Sequence, residues 1–366
     1  MDNDMTAKQD QITHPDPNLN VKAGINRPDV RLYDVKKAPF QLYGFETPFV
    51  RMPEEVAKAT SEGVFSLHRD AAGGRVRFSS DSSYVAIRAE YSNITRFSHM
   101  SLTGTAGFDL YVDDPVSGIS RYCKTFIPPY DMVDGYEQII PLPDRRLRYF
   151  TIHFPSYSKV RQLFVGLQES AAVGEGMPYR DPLPVVYYGS SITQGACSSR
   201  PGAIYQNMVA RDLNLDYRNF GFSGHGKGED AMIEYLASLP MLAFVCDYDH
   251  NAPNPEHLRA THQKLYSAIR AKHPDIPYLM ISRPDFDCNE PENLLRRDVI
   301  VDTDRFARAN GDRNVYFIDG ASIFRGEYEW ECTVDNTHPN DLGNARIASA
   351  VTATLRRAFT QRALTI

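Results

Sequence analysis

Between Leu183 and Phe359 the chain repeats one rhythm, a short apolar run, a polar turn, then a longer stretch with helical spacing. The apolar runs are PVVYY, YRNFGF, MLAFVCDY, PYLMIS and VYFID; the helical stretches include AIYQNMVARDL, EDAMIEYLASL, PEHLRATHQKLYSAIRAKH, RRDVIVDTDRFARAN and the closing DLGNARIASAVTATLRRAF. Strands buried on both faces read as continuous apolar runs, so this alternation predicts a parallel sheet covered by helices on both faces. Ligands of such sheets meet the loops at the carboxyl ends of the strands. One such loop reads YYGSSITQG, leaving its strand through a glycine and presenting two serines in succession.

The first half has a different rhythm. From about Phe40 to Gln168, the segments YVAIRAEY, GFDLYVDD, QIIPL, RYFTIHF and VRQLFVGL are short, alternating and separated by Gly, Pro, Asp and Ser clusters. That pattern predicts an antiparallel β-sandwich. The expected division is a polar tail at 1–29, a sandwich at 30–170, a linker at 171–182 and an α/β domain at 183–366. A chain of 366 residues is long enough for two cores.

Charge narrows the partners. A net charge of −6, with no Lys/Arg-rich run, offers no electrostatic footprint for nucleic acid, and small molecules or neutral polymers fit better. No apolar window approaches the roughly 20 residues that span a bilayer, so no membrane association is expected. The polar N-terminus has no signal-peptide core, which leads to a cytoplasmic expectation. Five widely spread cysteines, Cys123, Cys197, Cys246, Cys288 and Cys332, read as free thiols, with Cys246 a buried small hydrophobe.

Three further pieces fall at the same sheet edge as YYGSSITQG: NFGFSGHGKG, CDYDHNAPN and TVDNTHPND. Topology therefore brings Ser191, Gly224, Asn251, Asp335 and His338 toward one rim. These are the residue types of acyl transfer. A serine hydroxyl needs an imidazole to take its proton, and the imidazole needs a carboxylate to hold its tautomer. Asp335 and His338 are three apart, so in a turn their side chains can face the same way. Backbone N–H groups at Ser191 and Gly224 and the carboxamide of Asn251 would supply the oxyanion donors. Singly, each residue has a plainer reading: Ser190, Ser191 and Thr193 as helix caps, and Asp335, His338 and Asn251 as turn residues. GFSGHGKG falls one residue short of a phosphate-binding loop, with Gly228 where a hydroxyl is required. Asp247, Asp249 and His250 lack metal-ligand spacing, and no metal and no cofactor are expected.

In this order, GSSITQG, NFGFSG, DHNA and DNTHP resemble the four sequence blocks of the SGNH, or GDSL-like, hydrolases, and GFDLY resembles the β-domain that precedes one esterase branch of that family. The resemblance implies a flavodoxin-like α/β domain behind a jelly-roll-like sandwich. It also implies a nucleophile at Ser191, a triad with His338 and Asp335, and an oxyanion hole from Ser191, Gly224 and Asn251. Ser190 stands where the family usually has Asp or Asn, and Asp249 and His250 precede Asn251 where it usually has Gly; Ser190 and His250 are therefore read as substrate-binding. An α/β-hydrolase fits less well, because its G-x-S-x-G elbow would need Gly at Thr193. The expected function is a serine esterase removing small acyl groups, acetyl first, from a small molecule or oligosaccharide. An acyltransferase and a noncatalytic glycan-binding protein are the alternatives.

Overall fold

The computed structural model describes residues 21, 23–284 and 291–365, with side chains to 361. Most of the expected tail and Cys288 lie outside the described residues. Two antiparallel sheets build the N-terminal domain. One has the strand order Val30–Asp34, Lys159–Gln168, Tyr84–Asn93, Gly135–Pro141; the other runs Val173–Glu175, Arg75–Ser80, Arg148–His153, Phe108–Asp113, Ser120–Phe126, with Gln41–Tyr43 also paired to Arg75–Ser80. Val85, Ile87, Ala89, Leu163, Val165 and Leu167 of the first sheet meet Val76, Phe78, Phe108, Leu110, Phe150 and Ile152 of the second. The period-2 spacing puts these side chains on the inner faces, where burying each large one contributes about 1.5–3 kcal/mol. Val173–Glu175 pairs with Phe78–Ser80, so the sheet runs into the stretch expected as linker.

The second half forms a five-stranded parallel sheet ordered Tyr217–Gly221, Val185–Gly189, Ala243–Asp247, Tyr278–Ile281, Val315–Ile318. Alternation sorts its residues between two cores. Val185, Tyr187, Tyr217, Ala243 and Val245 pack beneath the helices Tyr205–Leu213 and Asp341–Thr365. Val186, Tyr188, Phe220, Phe244 and Cys246 pack beneath Asp230–Ser238, Pro255–Lys272 and Pro291–Ala309. Among the described residues, no helix is long and apolar enough to cross a membrane.

The two halves are joined by buried charge as well as apolar contact. Met52, Ala57 and Val64, on and beside the short helices Glu54–Thr60 and Glu62–Leu67, enter the core of the parallel sheet. Arg51, wholly buried, donates to the carbonyls of Asn219 (3.1 Å) and Gly221 (2.7 Å) on the edge strand and lies over the Phe222 ring. Arg75 pairs with Asp216 and donates to the Tyr217 carbonyl at 3.0 Å. An open sheet edge would leave its backbone groups without partners; here two guanidinium groups cover that edge.

GFDLY supplies the other joint. Asp109 accepts from Thr125 Oγ1 at 2.6 Å, from Arg200 Nη1 at 2.9 Å and from the Gly202 N–H at 2.8 Å, while Arg200 also donates to the Tyr111 hydroxyl at 2.6 Å. The motif therefore grips the loop that follows the two serines.

Candidate active site

The strand Val185–Gly189 leaves no room for a side chain at its end. A Cβ at Gly189 would overlap Asp247 Oδ1 and Thr193 Oγ1, which explains why the chain exits through glycine. Ser190 follows in extended backbone, and its hydroxyl accepts from the Ile192 N–H at 3.1 Å as the cap of a one-turn helix, Ser191–Gln194. Its backbone N–H donates to Asp247 Oδ1 at 3.3 Å. Both serines are buried, Ser190 wholly and Ser191 to 8% exposure, and their hydroxyls differ in partner: Ser190 meets the Ile192 N–H, Ser191 meets His338.

Ser191 Oγ lies 2.8 Å from His338 Nε2, and His338 Nδ1 lies 2.7 Å from Asp335 Oδ2. The loop Thr333 to Pro339 is closed by a backbone bridge between its ends and by the Val334 N–H donating to the His338 carbonyl at 2.9 Å. Asp335 Oδ1 accepts from the N–H groups of His338 (2.8 Å) and Thr337 (3.2 Å), fixing the carboxylate in a turn. Burial acts to raise the Asp335 carboxyl, but the backbone and ring of His338 and the Thr337 N–H together hold it below the usual carboxylate range. An ionised carboxylate at Nδ1 directs the lone pair of Nε2 toward Ser191.

The expected oxyanion donors share one neighbourhood. Gly224 sits at φ 72° in an exposed turn closed by the His225 and Gly226 N–H groups on the Phe222 carbonyl, at 2.8 and 3.0 Å. Asn251 Nδ2 donates to that same carbonyl at 2.9 Å, and the Phe222 N–H donates to the Gly189 carbonyl at 3.0 Å, tying the group to the residue before the serines. Ser191 opens its helix, so its N–H has no intrahelical partner. The half-buried His250 stands beside Asn251, with its backbone N–H on Asp249 Oδ1 at 3.0 Å.

Several supporting residues have no motif to announce them. Gln194 accepts the Ser223 N–H at 2.9 Å and donates to Asp70 at 3.0 Å, bracing the Gly224 turn from the helix of Ser191. Arg296 donates to the carbonyls of Asp249 and Ala252, both at 2.7 Å, and so clamps the loop of Asn251. Tyr157, from the sandwich, donates to the Ser191 carbonyl at 3.4 Å. Asp247 accepts from Thr193 and from Tyr205 (3.1 Å), and burial pushes it up to about 7 against those hydrogen bonds. Its oxygens, and those of Asp249 toward Arg283 N and His250 N, are engaged inside the fold rather than aimed at a common point.

Residues 183–356 match the GDSL-like lipase/acylhydrolase family, and residues 30–173 match the GxDLY domain found at the N-terminus of SGNH-type esterases. No curated protein sequence matches the chain. Among solved structures, a protein from Bacteroides ovatus described as a GDSL-like lipase is 24% identical, with a TM-score of 0.81 over 90% of this chain and 98% of that one. A salicylyl-acyltransferase from a tetracycline biosynthetic pathway is 20% identical, with a TM-score of 0.73 over 90% and 98%. A family two carbohydrate esterase from Clostridium thermocellum, solved with cellohexaose, is 14% identical, with a TM-score of 0.56 over 79% and 93%. At these identities the structures establish the shared fold, and the family matches establish the kinship. The chain belongs to the GDSL-like, or SGNH, hydrolases, in the esterase branch that carries an N-terminal GxDLY domain, and it is a carboxylic-ester hydrolase.

Proposed function

We propose that the protein removes small acyl groups, acetyl first, from a carbohydrate through an acyl-enzyme on Ser191. The observation that carries this reading is the continuous line from Ser191 Oγ through His338 to Asp335, with both contacts at hydrogen-bond distance. His338 takes the hydroxyl proton as Oγ attacks the ester carbonyl, and Asp335 steadies the imidazolium that forms. The N–H groups of Ser191 and Gly224 and the carboxamide of Asn251 meet the oxyanion, an effect worth about 3–4 kcal/mol for a single well-placed donor. His338 then returns the proton to the leaving alcohol, and water repeats the sequence to release the acid. His250, next to Asn251 in the same loop, binds the substrate beyond the oxyanion donors in this reading.

The sugar assignment is supported by the cleft between the domains. A cavity of about 340 Å³, bordered by Asn93, Thr95, Phe97 and Lys159 of the sandwich and by Ser223 and His225 on either side of Gly224, offers polar groups beside an aromatic ring next to the oxyanion turn, though Ser191, Asp335 and His338 do not line it. The family two carbohydrate esterase of like fold holds cellohexaose in its solved complex, which agrees with this reading. A salicylyl-acyltransferase of like fold keeps a second reading alive, with a bound alcohol replacing water. A noncatalytic glycan-binding role leaves the aligned Ser191, His338 and Asp335 without purpose. Turnover of a nitrophenyl ester series, followed by acetylated sugars, tests the proposal. The expected result is efficiency that falls beyond about four acyl carbons; a steady climb to about eight would reject the small acyl pocket. Transfer to an added alcohol in preference to water would favour the second reading.

A further inference from the structure

Two side chains with no part in ester chemistry stand beside the proposed triad. His99 comes from the sandwich, in the loop between the strand Tyr84–Asn93 and the short helix Leu102–Ala106. Cys197 lies three residues beyond the helix Ser191–Gln194. One ligand atom each from His99, Cys197, Asp335 and His338 lies within 4.8 Å of all the others. His99 Nε2 is 4.0 Å from Asp335 Oδ2, and the His99 and His338 ring centres are 6.2 Å apart. The Cys197 thiol approaches the His99 carbonyl at 3.8 Å. Cys197 holds φ at 62°, a left-handed conformation that costs a non-glycine residue about 1–2 kcal/mol, and the surrounding fold must enforce it.

One thiol, two imidazoles and one carboxylate make a four-donor set suited to zinc and poorly suited to magnesium or calcium, which take oxygen ligands. We propose that His99, Cys197, Asp335 and His338 form a reversible inhibitory site for Zn²⁺ or a cation of similar softness, which switches the esterase off by capturing its base and carboxylate. The inhibitory consequence rests on the proposed triad; the binding site does not. Ligand atoms around tetrahedral zinc stand about 3.3–3.8 Å apart, so the group closes by about 1 Å on binding. His99 is exposed and on a loop, and can supply that movement.

Either nitrogen of His338 gives the same outcome. Coordination through Nε2 removes the lone pair that accepts the Ser191 proton, and coordination through Nδ1 displaces the contact with Asp335 that orients the ring.

The test uses the full chain with nitrophenyl acetate as substrate and Zn²⁺ as probe. Micromolar Zn²⁺ should stop turnover, and EDTA should restore it. His99→Ala and Cys197→Ser should keep most basal turnover while raising the half-inhibiting Zn²⁺ concentration by about 10- to 100-fold. A second measurement is independent of activity: Co²⁺ added to Ser191→Ala should give a near-ultraviolet thiolate-to-cobalt band that is absent when Cys197→Ser is added. Zn²⁺ responses in both single variants equal to that of the wild type, or cobalt binding without a thiolate band, would overturn the site. Should the cobalt band appear in a protein whose esterase activity survives Ser191→Ala, the triad reading fails and the metal site stands.

Discussion

Asp109 of the sandwich and Arg200 of the α/β domain form an ion pair at 2.9 Å, and the loop they fix begins a few residues after Ser191. Asp109 is fully buried and Arg200 is three-quarters buried, so removing the carboxylate leaves a guanidinium short of its partner and the Gly202 N–H short of its acceptor. Asp109→Ala should destabilise the protein by about 3 kcal/mol in urea unfolding and lower kcat by disordering the loop that follows Ser191. Asp109→Asn, which can still accept from Gly202, should lose less. Equal stability of Asp109→Ala and wild type would show that the sandwich is merely tethered to the catalytic half.

Gly189 is a steric prediction. Gly189→Ala drives a methyl into Asp247 and Thr193, so the loop of Ser190 and Ser191 must shift. Activity should fall at least about 100-fold, since misplacing a reacting group by about 1 Å costs that much. Parallel kinetics and thermal melts would check it, with near-normal turnover contradicting the packing described here.

Asp70 sets a pH dependence of stability. Burial pushes its carboxyl up to about 7, with Arg51, Lys159 and Gln194 opposing. Between the ordinary carboxylate value near 3.9 and about 7, the folded state holds a proton that the unfolded state has lost, so this group's contribution is present at low pH and disappears as pH rises through 7. From pH 5 to pH 8 the loss is about 2–3 kcal/mol. Buried His153 and His262, pushed below their ordinary range by burial, act in the opposite sense on acidification, so the informative quantity is a difference. The stability of Asp70→Asn minus that of wild type should rise across pH 5–8; a flat difference would place the charged carboxylate comfortably in the fold.

Asp335 and Ser190 make a contrasting pair. Asp335→Asn keeps the turn but loses the charge on His338 Nδ1, and kcat should drop about 10³- to 10⁴-fold. Ser190→Ala removes only a helix cap, costing about 1 kcal/mol of stability and far less turnover. A larger activity loss at Ser190 than at Asp335 would reverse the assignment of the two hydroxyls.

Much of this architecture is written in local pattern. PVVYY, MLAFVCDY and PYLMIS announce parallel strands because burial on both faces leaves them no polar side. Asp335 and His338 are legible because a turn places positions three apart on one side. Arg75–Ser80, RVRFSS, is different: it lies wholly buried although it carries two arginines, and it is absent from the strand segments that the sequence pattern singles out. Their partners, Asp216 for Arg75 and Asp113 for Arg77, lie 141 and 36 residues away, and no local spacing reports them. The same reason hides His99, Tyr157 and Arg296, which reach the site across the domain seam or from a neighbouring helix. Ser190 and Ser191 carry identical chemistry in sequence; the block resemblance picks out Ser191, and the geometry adds that Ser190 caps the helix while Ser191 meets His338.

The central claim is that Ser191 is the residue acylated in turnover. Labelling the intact protein with a fluorophosphonate ester and locating the adduct by peptide mass spectrometry tests it directly, because the probe reacts only with a hydroxyl whose proton a neighbouring base can take. The account predicts a single adduct on Ser191, lost in His338→Ala; an adduct on Ser190 or Cys197, or labelling of Ser191 that His338→Ala leaves undiminished, would contradict it.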